Sequence, residues 1–316
     1  MKILVYGAGN MGCLYAAKLQ QGGEDVALLA RGPRLDRLRA SGIVLEDTAT
    51  GERTETRVDV VENLAPTDAF DLVVVALPKH RVAEVLPVLA RNQRVSSFLF
   101  MCNNAEGPSK WIDALGEDRV LLGFPGAAAV DDGAVIRYLV TSKSEQATTV
   151  GEVDGKRSER IVRIRDAFQG AGFPSEICSN MDAWLKTHVA RIIPTANALY
   201  MAGGDLSTLA QREILRLLVR AIGEGFAVLQ SLGVPLTPSN HRVFTWLPES
   251  LLLVIMRRMV ASEQFAIKTG HALEARAEMG LLADEFRTLA MQTDVPTPAI
   301  DALSAHINDG AAAVPA

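Results

Sequence analysis

Residues 1–31 constrain the fold of this chain more than any other part of the sequence. An apolar strand pattern at residues 3–6 leads directly into the glycine-rich segment GAGNMG, residues 7–12, and a helical pattern follows. A second strand pattern, residues 25–30, ends at Arg31. A G-x-G-x-x-G segment has a physical meaning only in this position between a strand and a helix. The order therefore predicts a phosphate-binding turn at the start of a parallel sheet.

Each residue of this turn has a predicted role. Gly7 permits the tight turn, Gly9 lets the backbone approach a pyrophosphate, and Gly12 lets the helix pack closely on the strand. The backbone N–H groups of the first helical turn, around Asn10 and Met11, are expected to bind the phosphates. The segment predicts a dinucleotide site in a Rossmann domain.

The residue after the second strand indicates which dinucleotide binds. NAD-binding proteins usually carry an acid there, which binds the ribose 2′-hydroxyl, whereas an arginine suits a 2′-phosphate. This chain has Arg31 at that position, with Arg34 close behind it. The predicted cofactor is NADP(H), with Arg31 at the phosphate and Arg34 as a second candidate. The alternative for Arg31 is an ordinary solvated arginine at a strand end.

Composition excludes several classes of protein. The 316 residues are 48% apolar and 22% charged with a net charge of -5, which gives no electrostatic reason to expect nucleic acid or an anionic membrane as a partner. Apolar runs such as residues 251–256 are too short to span a bilayer. The three cysteines are scattered, so neither a disulfide framework nor a metal site is expected. No signal peptide precedes the turn, and a cytoplasmic protein is expected. The oligomeric state stays open, with a homodimer among the alternatives.

Strand and helix patterns alternate through the first half of the chain. Strands are predicted at residues 71–77, 97–102, 120–124 and 175–178, helices at 82–89 and 158–169, and further antiparallel strands within 134–151. From Met181 onward only helical periodicity remains. We predict an α/β fold with a doubly wound Rossmann domain, residues 1–180, followed by an all-helical C-terminal domain, residues 181–316.

Several motifs in this order resemble the ketopantoate reductase family, and the resemblance covers nearly the whole chain. Besides the glycine turn and the segment from Leu29 to Gly42, they are MCNN at residues 101–104, Trp184-x-Lys186, AEM at 277–279 and VPTP at 295–298. The family reduces 2-dehydropantoate to pantoate with NADPH in pantothenate biosynthesis. The resemblance therefore implies an NADP-dependent reductase of a small-molecule carbonyl substrate.

The resemblance also implies roles for three residues. Lys186 resembles the catalytic lysine, Glu278 the glutamate that orients the substrate hydroxyl, and Asn103 the asparagine that contacts the cofactor and helps to place the lysine. An ammonium suits the reaction, because hydride attack on a carbonyl builds negative charge on oxygen that an N–H donor stabilises and then protonates. The structural alternatives are a surface lysine, a strand-ending turn asparagine and a helix-surface glutamate.

The chain departs from the family in the substrate pocket. The family carries asparagines four and eight residues after the lysine, where this chain has Ala190 and Pro194, and Pro194 is expected to kink the helix. The family's Ser-Ser-Met segment reads Phe265-Ala266-Ile267. Asn197 returns to nearly the same helix face as Lys186 but lies about 16 Å further along the helix, too far to touch the same ligand atom. Lys268 and His271 are further pocket candidates, and a cofactor contact of Lys79 is doubtful.

These departures leave three hypotheses. The chain is a reductase of a small 2-oxo acid of the ketopantoate reductase type, a reductase of a different carbonyl outside pantothenate biosynthesis, or a non-catalytic NADP(H)-binding sensor. Because the pocket's amides and hydroxyls are replaced, we predict weak or no turnover of 2-dehydropantoate.

Overall fold

The computed structural model describes residues 1–133, 135–262, 265, 273 and 275–307, and they form two compact units. The first unit comprises Met1–Cys102 and Pro108–Met181. The second comprises Asn103–Gly107 and the chain from Asp182 onward. The short segment Asn103–Gly107, which the sequence places in the first domain, therefore belongs by its contacts to the helical unit.

The first unit is built on two sheets. Its strands are β1 (Lys2–Tyr6), β2 (Asp25–Leu29), β3 (Ile43–Asp47), β4 (Arg53–Thr56), β5 (Asp59–Val61), β6 (Leu72–Val75), β7 (Phe98–Met101), β8 (Val120–Phe124), β9 (Ala127–Asp131), β10 (Ile136–Val140), β11 (Thr148–Glu152) and β12 (Ser175–Ile177). The large sheet has the order β12-β11-β8-β7-β6-β1-β2-β5, and the small sheet the order β4-β3-β10-β9.

The large sheet has the predicted doubly wound topology. The strands from β8 to β5 are parallel, and β1 lies between β2 and β6. The strand order therefore reverses direction next to β1, and ligands of such open sheets bind at the carboxyl ends of the strands beside this switch point. The predicted antiparallel strands are present: β10 pairs antiparallel with β9, and β11 with β8.

Helices cover the large sheet because its strands are apolar on both faces. They are α1 (Asn10–Gln21), α2 (Gly32–Ser41), α3 (Lys79–Arg91), α4 (Ser109–Leu115), α5 (Lys143–Gln146) and α6 (Glu159–Gly170). Ile3 and Val5 pack into a core with the buried side chains of α1 and α6. Phe100 stacks on Trp111 of α4, with ring centroids 4.1 Å apart.

The described part of the second unit is helical. Its helices are α7 (Met181–Met201), α8 (Leu206–Leu209), α9 (Arg212–Ser231), α10 (Val243–Trp246), α11 (Glu249–Val260), α12 (Arg276–Ala290) and α13 (Pro298–Ser304). The helix α9 is central and packs against α11 and α13. Its Glu224 carboxylate accepts the backbone N–H groups of Ala299 at 3.0 Å and Ile300 at 2.9 Å, which caps α13. None of the described helices has the length and apolar character of a membrane span.

Candidate functional site

The glycine turn after β1 has a shape that only glycine allows at two of its positions. Gly7 has φ +121°, and a Cβ there would lie 2.7 Å from the Ala76 carbonyl oxygen. A Cβ on Gly12 would lie 1.8 Å from the Gly7 carbonyl oxygen. A Cβ on Gly9, by contrast, would meet no atom within 4 Å. The turn is therefore closely packed beneath Gly7 and Gly12 and open above Gly9.

The open side of the turn coincides with the start of α1. Gly9 caps the helix without a side-chain hydrogen bond, and the first turn contains no acidic residue. Its positive end is therefore not neutralised locally, which favours an anion. The Asn10 side chain donates to the Ala129 carbonyl oxygen at 3.5 Å, and Met11 is half-buried. The turn fits the pyrophosphate of a dinucleotide in space and in electrostatics.

Arg31 lies exposed between β2 and α2. Its Nε donates to the backbone carbonyl of Glu62 at 3.4 Å, and no ion pair holds its guanidinium among the described residues. Burial raises the pKa of Tyr6 at the end of β1, and the charge of Arg31 opposes that rise. Arg31 therefore lies near the carboxyl ends of β1 and β2, where the nucleotide ribose is expected.

Arg34 has a different environment from Arg31. It forms an ion pair with Asp131, and its Nε donates to the carbonyl oxygen of Ala8 at 3.1 Å. Its Nη2 donates to Cys13 Sγ at 3.4 Å. The guanidinium of Arg34 is therefore already bound by Ala8, Cys13 and Asp131. Arg31 is the better candidate for a 2′-phosphate.

The segment Asn103–Gly107 joins the polar residues of the helical unit. The side-chain amide of Asn103 donates to Glu278 Oε1 at 3.3 Å. Asn103 is 9% exposed and Glu278 3% exposed, in the first turn of α12. The Oδ1 of Asn103 is buried and has no hydrogen-bond partner. An acceptor without a partner in this position is available to a donor group of a ligand.

Lys186 lies against the end of the same segment. It is 9% exposed, and its ammonium forms an ion pair with Asp182 one helical turn earlier on α7. A Cβ on Gly107 would lie 3.4 Å from Lys186 Nζ and 3.4 Å from Asp182 Oδ1. The segment therefore has Asn103 beside Glu278 at one end and Gly107 beside Lys186 at the other.

Sequence reasoning did not identify three residues of this neighbourhood. Glu285 accepts the backbone N–H groups of Ala105 at 3.1 Å and Glu106 at 3.3 Å, and so holds the segment against α12. Asp182 and Gly107 contact the lysine. The spacing alone contained a signal for two of them, because Asp182 is four residues before Lys186 and Glu285 is seven after Glu278, which places each pair on one helix face.

The positions that depart from the family pattern lie in the core of the helical unit. Ala190 is 1% exposed, and a Cβ on Gly225 of α9 would lie 3.3 Å from the Ala190 Cβ. Pro194 is buried, and α7 continues through it. Asn197 is 1% exposed, and neither atom of its amide has a hydrogen-bond partner. Ala266, Lys268 and His271 lie outside the described residues.

Lys79, the first residue of α3, is buried in the first unit. Its ammonium lies 4.8 Å from the ring centroid of Trp111. This contact is a cation–π interaction, and it gives Lys79 a structural role.

Comparisons with known proteins agree with this description. The family model "Ketopantoate reductase PanE/ApbA" matches residues 3–155. The uncharacterised oxidoreductase YkpB of Bacillus subtilis is 27% identical, over 93% of this chain and 95% of its own length. A 2-dehydropantoate 2-reductase of Mesorhizobium japonicum is 26% identical, over 97% of both chains.

Solved structures show the same fold over nearly the whole chain. The 2-dehydropantoate 2-reductase of Geobacter metallireducens matches with a TM-score of 0.78 at 15% identity, covering 98% of this chain and 99% of that one. A D-mandelate dehydrogenase, solved with NADH and anilino(oxo)acetate, matches with a TM-score of 0.76 at 13% identity, covering 98% of this chain and 97% of that one. At these identities the structures support the fold, and the substrate has to be inferred from the chain's own residues.

Proposed function

Because this chain is a divergent member of the ketopantoate reductase family of oxidoreductases, we propose that it is an NADPH-dependent reductase of a small 2-oxo acid or related carbonyl. The observation that carries the proposal is the segment Asn103–Gly107, which contacts both Glu278 and Lys186 within the helical unit. A sensor that binds NADP(H) without turnover would have no need of this buried ammonium.

Lys186 is proposed as the proton donor. The glycine turn would hold the pyrophosphate of a nicotinamide dinucleotide, and the bound dinucleotide would supply the hydride for the carbonyl carbon. Negative charge then develops on the carbonyl oxygen, and the Lys186 ammonium stabilises that charge and transfers its proton to the oxygen. The ion pair with Asp182 holds the ammonium in one orientation on α7 before substrate binds.

Glu278 and Asn103 are proposed to position the reactants. The Glu278 carboxylate is an acceptor for a substrate hydroxyl, and its hydrogen bond from Asn103 holds it in place. The Oδ1 of Asn103 remains available to accept a hydrogen bond from the cofactor or the substrate. Both side chains are almost fully buried, and a hydrogen bond from a ligand is electrostatically stronger there than in water.

The preference for NADPH rests on Arg31. Its guanidinium follows β2 and is held by no ion pair among the described residues, whereas Arg34 is engaged by Asp131 and Ala8. A charge-assisted contact to phosphate is worth about 1.5–3 kcal/mol. The glycine turn provides the remaining pyrophosphate contacts for either dinucleotide.

The substrate is proposed to differ from 2-dehydropantoate. Ala190, at the position of a substrate-binding asparagine, packs against Gly225, and Pro194 is buried within α7. An apolar side chain at these positions offers no partner to the hydroxyl or carboxylate of a pantoate-like ligand. A carbonyl compound with fewer polar groups fits this neighbourhood better.

Oxidation of NADPH against a panel of 2-oxo acids and related carbonyl compounds tests the proposal. We expect turnover of at least one member, with 2-dehydropantoate a poor substrate. Efficient reduction of 2-dehydropantoate would contradict the substrate assignment and leave the reductase assignment intact. Cofactor binding without turnover of any carbonyl would favour the sensor.

A further inference from the structure

Arg191 lies on α7, about 140° around the helix from Lys186 at 100° per residue. Its Nη2 donates to His188 Nδ1 at 3.4 Å. Its Nε is shielded from solvent and has no hydrogen-bond partner among the described residues. No carboxylate of the described part of the chain forms an ion pair with this guanidinium.

An uncompensated guanidinium in this position is unfavourable. Arginine stays protonated in proteins, so it cannot relieve burial by losing its charge. Burial lowers the pKa of Arg191, the direction expected when a cation is removed from water without an anion beside it. A buried charge without its partner is one of the strongly destabilising arrangements in a fold. An anion bound beside the guanidinium would compensate its charge.

The groups around Arg191 are also suited to an anion. Because Nη2 of Arg191 can only donate, His188 accepts through Nδ1 and carries its proton on Nε2. The His188 ring stacks on Trp184, with centroids 5.2 Å apart. His241, from the short 3₁₀ turn Ser239–Arg242, lies beside Phe226 with ring centroids 5.7 Å apart. The stacked contact with Trp184 and the tilted contact with Phe226 hold the two imidazoles in place.

The charge of Arg191 affects the pKa of both histidines. Burial and the charge of Arg191 lower the pKa of His241 to about 4. Burial, and then the charges of Arg191 and His241, lower the pKa of His188 well below its usual value. The described groups that lower these two pKa values by their charge are therefore Arg191 and, for His188, also His241. Each of the three residues keeps intermediate exposure, so a small ion can reach them from solvent.

We propose that Arg191, together with His188 and His241, binds a small oxyanion, a carboxylate or a phosphate, at a site distinct from the neighbourhood of Lys186. The Nε–H and Nη–H groups of an arginine match two oxygens of such an anion. The imidazoles become donors to the anion as they take up protons. No feature of the proposed reductase site uses these three residues.

Thermal unfolding and histidine NMR of the full-length protein test the site with inorganic phosphate and acetate as probes. Chloride at matched ionic strength is the reference. We expect phosphate, acetate or both to raise Tm by a few degrees, and the pKa of His241 to rise by at least about one as the opposite charge binds. Assignment of the imidazole signals uses His188→Gln and His241→Gln variants.

Arg191→Gln is the decisive variant, and Arg212→Gln is its matched control, since Arg212 is exposed at the start of α9. The Arg191-dependent part of the Tm shift should disappear in the first variant and persist in the second. This difference also separates the site from the glycine turn, which can bind phosphate independently. If Arg191→Gln does not fold, the NMR titration of the unmodified protein decides alone.

Two outcomes would overturn the proposal. One is the absence of an Arg191-dependent response to anions. It would appear as an equal response of Tm to phosphate in the Arg191→Gln variant and the unmodified protein, or as an unchanged pKa of His241 at saturating phosphate and acetate. The other is loss of self-association in the Arg191→Gln variant without any effect of small anions. That second result would assign the guanidinium to a carboxylate of another copy of the chain.

Discussion

At the scale of single residues, the chemistry depends on how each charged side chain is partnered. Lys186 has an acid one helical turn away, Arg34 has Asp131, and Arg31 has no ion pair among the described residues. A neighbouring carboxylate orients the ammonium of a lysine, and a proton donor has to be positioned in this way. An arginine without a salt bridge can instead bind an incoming phosphate.

Replacing Lys186 with alanine should abolish most of the catalysis and leave cofactor binding intact. Loss of a positioned general acid costs roughly 10²–10⁴ in rate. The glycine turn and Arg31, the proposed phosphate contacts, lie in the other unit, so the Kd for NADPH should stay within about twofold. Steady-state kinetics and cofactor titration measure both, and Lys156→Ala, at an exposed lysine, is the control. Near-normal turnover of the Lys186→Ala variant on its best substrate would refute the assignment.

Arg31→Ala and Arg34→Ala should have different effects on the cofactors. Removing Arg31 should weaken NADPH binding by roughly ten- to a hundredfold and leave NADH binding nearly unchanged, because only NADPH carries the 2′-phosphate. Removing Arg34 should weaken both dinucleotides, because Arg34 hydrogen-bonds the Ala8 carbonyl inside the turn. Fluorescence titration of each variant with both cofactors distinguishes the two. An unchanged preference in Arg31→Ala would exclude it as the phosphate ligand.

At the scale of elements, the β1–turn–α1 unit is the most constrained part of the molecule. Gly7 and Gly12 are required by the close contacts of the backbone with Ala76 and with the turn itself. Gly9 has φ -70° and ψ -179°, which any residue can adopt. Its glycine is therefore unnecessary for folding, and the open space above it is left for a ligand.

Two alanine substitutions in this element separate folding from binding. Gly12→Ala should destabilise the protein severely, since its Cβ would lie 1.8 Å from the Gly7 carbonyl oxygen and the helix must move. Gly9→Ala should leave the free energy of unfolding within about 0.5 kcal/mol of the native value, as for an unstrained surface change. It should nevertheless weaken dinucleotide binding by at least tenfold, about 1.4 kcal/mol, because a methyl group occupies the phosphate side of the turn. Urea unfolding and cofactor titration measure the two effects. Unchanged cofactor affinity in Gly9→Ala would remove the phosphate from this turn.

At the scale of the whole molecule, the helical unit contains other buried polar groups besides the candidate catalytic residues. It includes the segment Asn103–Gly107 from the middle of the chain, and its central helix, α9, packs against α11 and α13. It also contains His188 and His241, whose pKa values are lowered by burial and by Arg191. The stability of this unit should therefore depend on pH in the acidic range.

We expect the protein to lose stability as the pH falls from about 6.5 towards about 4. A histidine whose folded pKa lies below its unfolded pKa binds protons more readily in the unfolded chain, so acid favours unfolding through this window. For His241, with a folded pKa of about 4, the loss amounts to about 3 kcal/mol at 1.36 kcal/mol for each pKa unit. His188 adds a loss in the same direction.

Urea unfolding between pH 7 and pH 4 measures this dependence. The His241→Gln variant should show a flatter pH dependence, and His80→Gln controls for removing a histidine from the first unit. An equal slope in native protein and His241→Gln would show that His241 does not titrate as described. Saturating phosphate should also flatten the slope if Arg191 binds the anion, because a bound anion raises the pKa of both imidazoles.

Most secondary structure could be predicted because it follows from local patterns. The apolar runs at residues 71–77 and 97–102 correspond to β6 and β7, and the predicted helix at 158–169 to α6, whose Ser158 accepts the Ile161 N–H at 3.1 Å. Boundaries differ by a few residues; the helix predicted at 82–89 extends over Lys79–Arg91. Helix ends depend on capping contacts that periodicity does not contain.

The sequence alone determined the Rossmann architecture and the glycine turn, and its resemblance to the ketopantoate reductase family supplied the candidate catalytic residues. The periods of strands and helices and the steric demands of glycine involve only a few neighbouring residues, so they can be recognised in the sequence. Only the tertiary structure decided which polar and charged groups pair with one another. Asn103 meets Glu278 across 175 residues, Ala105 meets Glu285 across 180, and Arg34 meets Asp131 across 97. Partners at such separations are chosen by how elements pack, because burial makes an unpaired polar group costly wherever its partner lies in the chain.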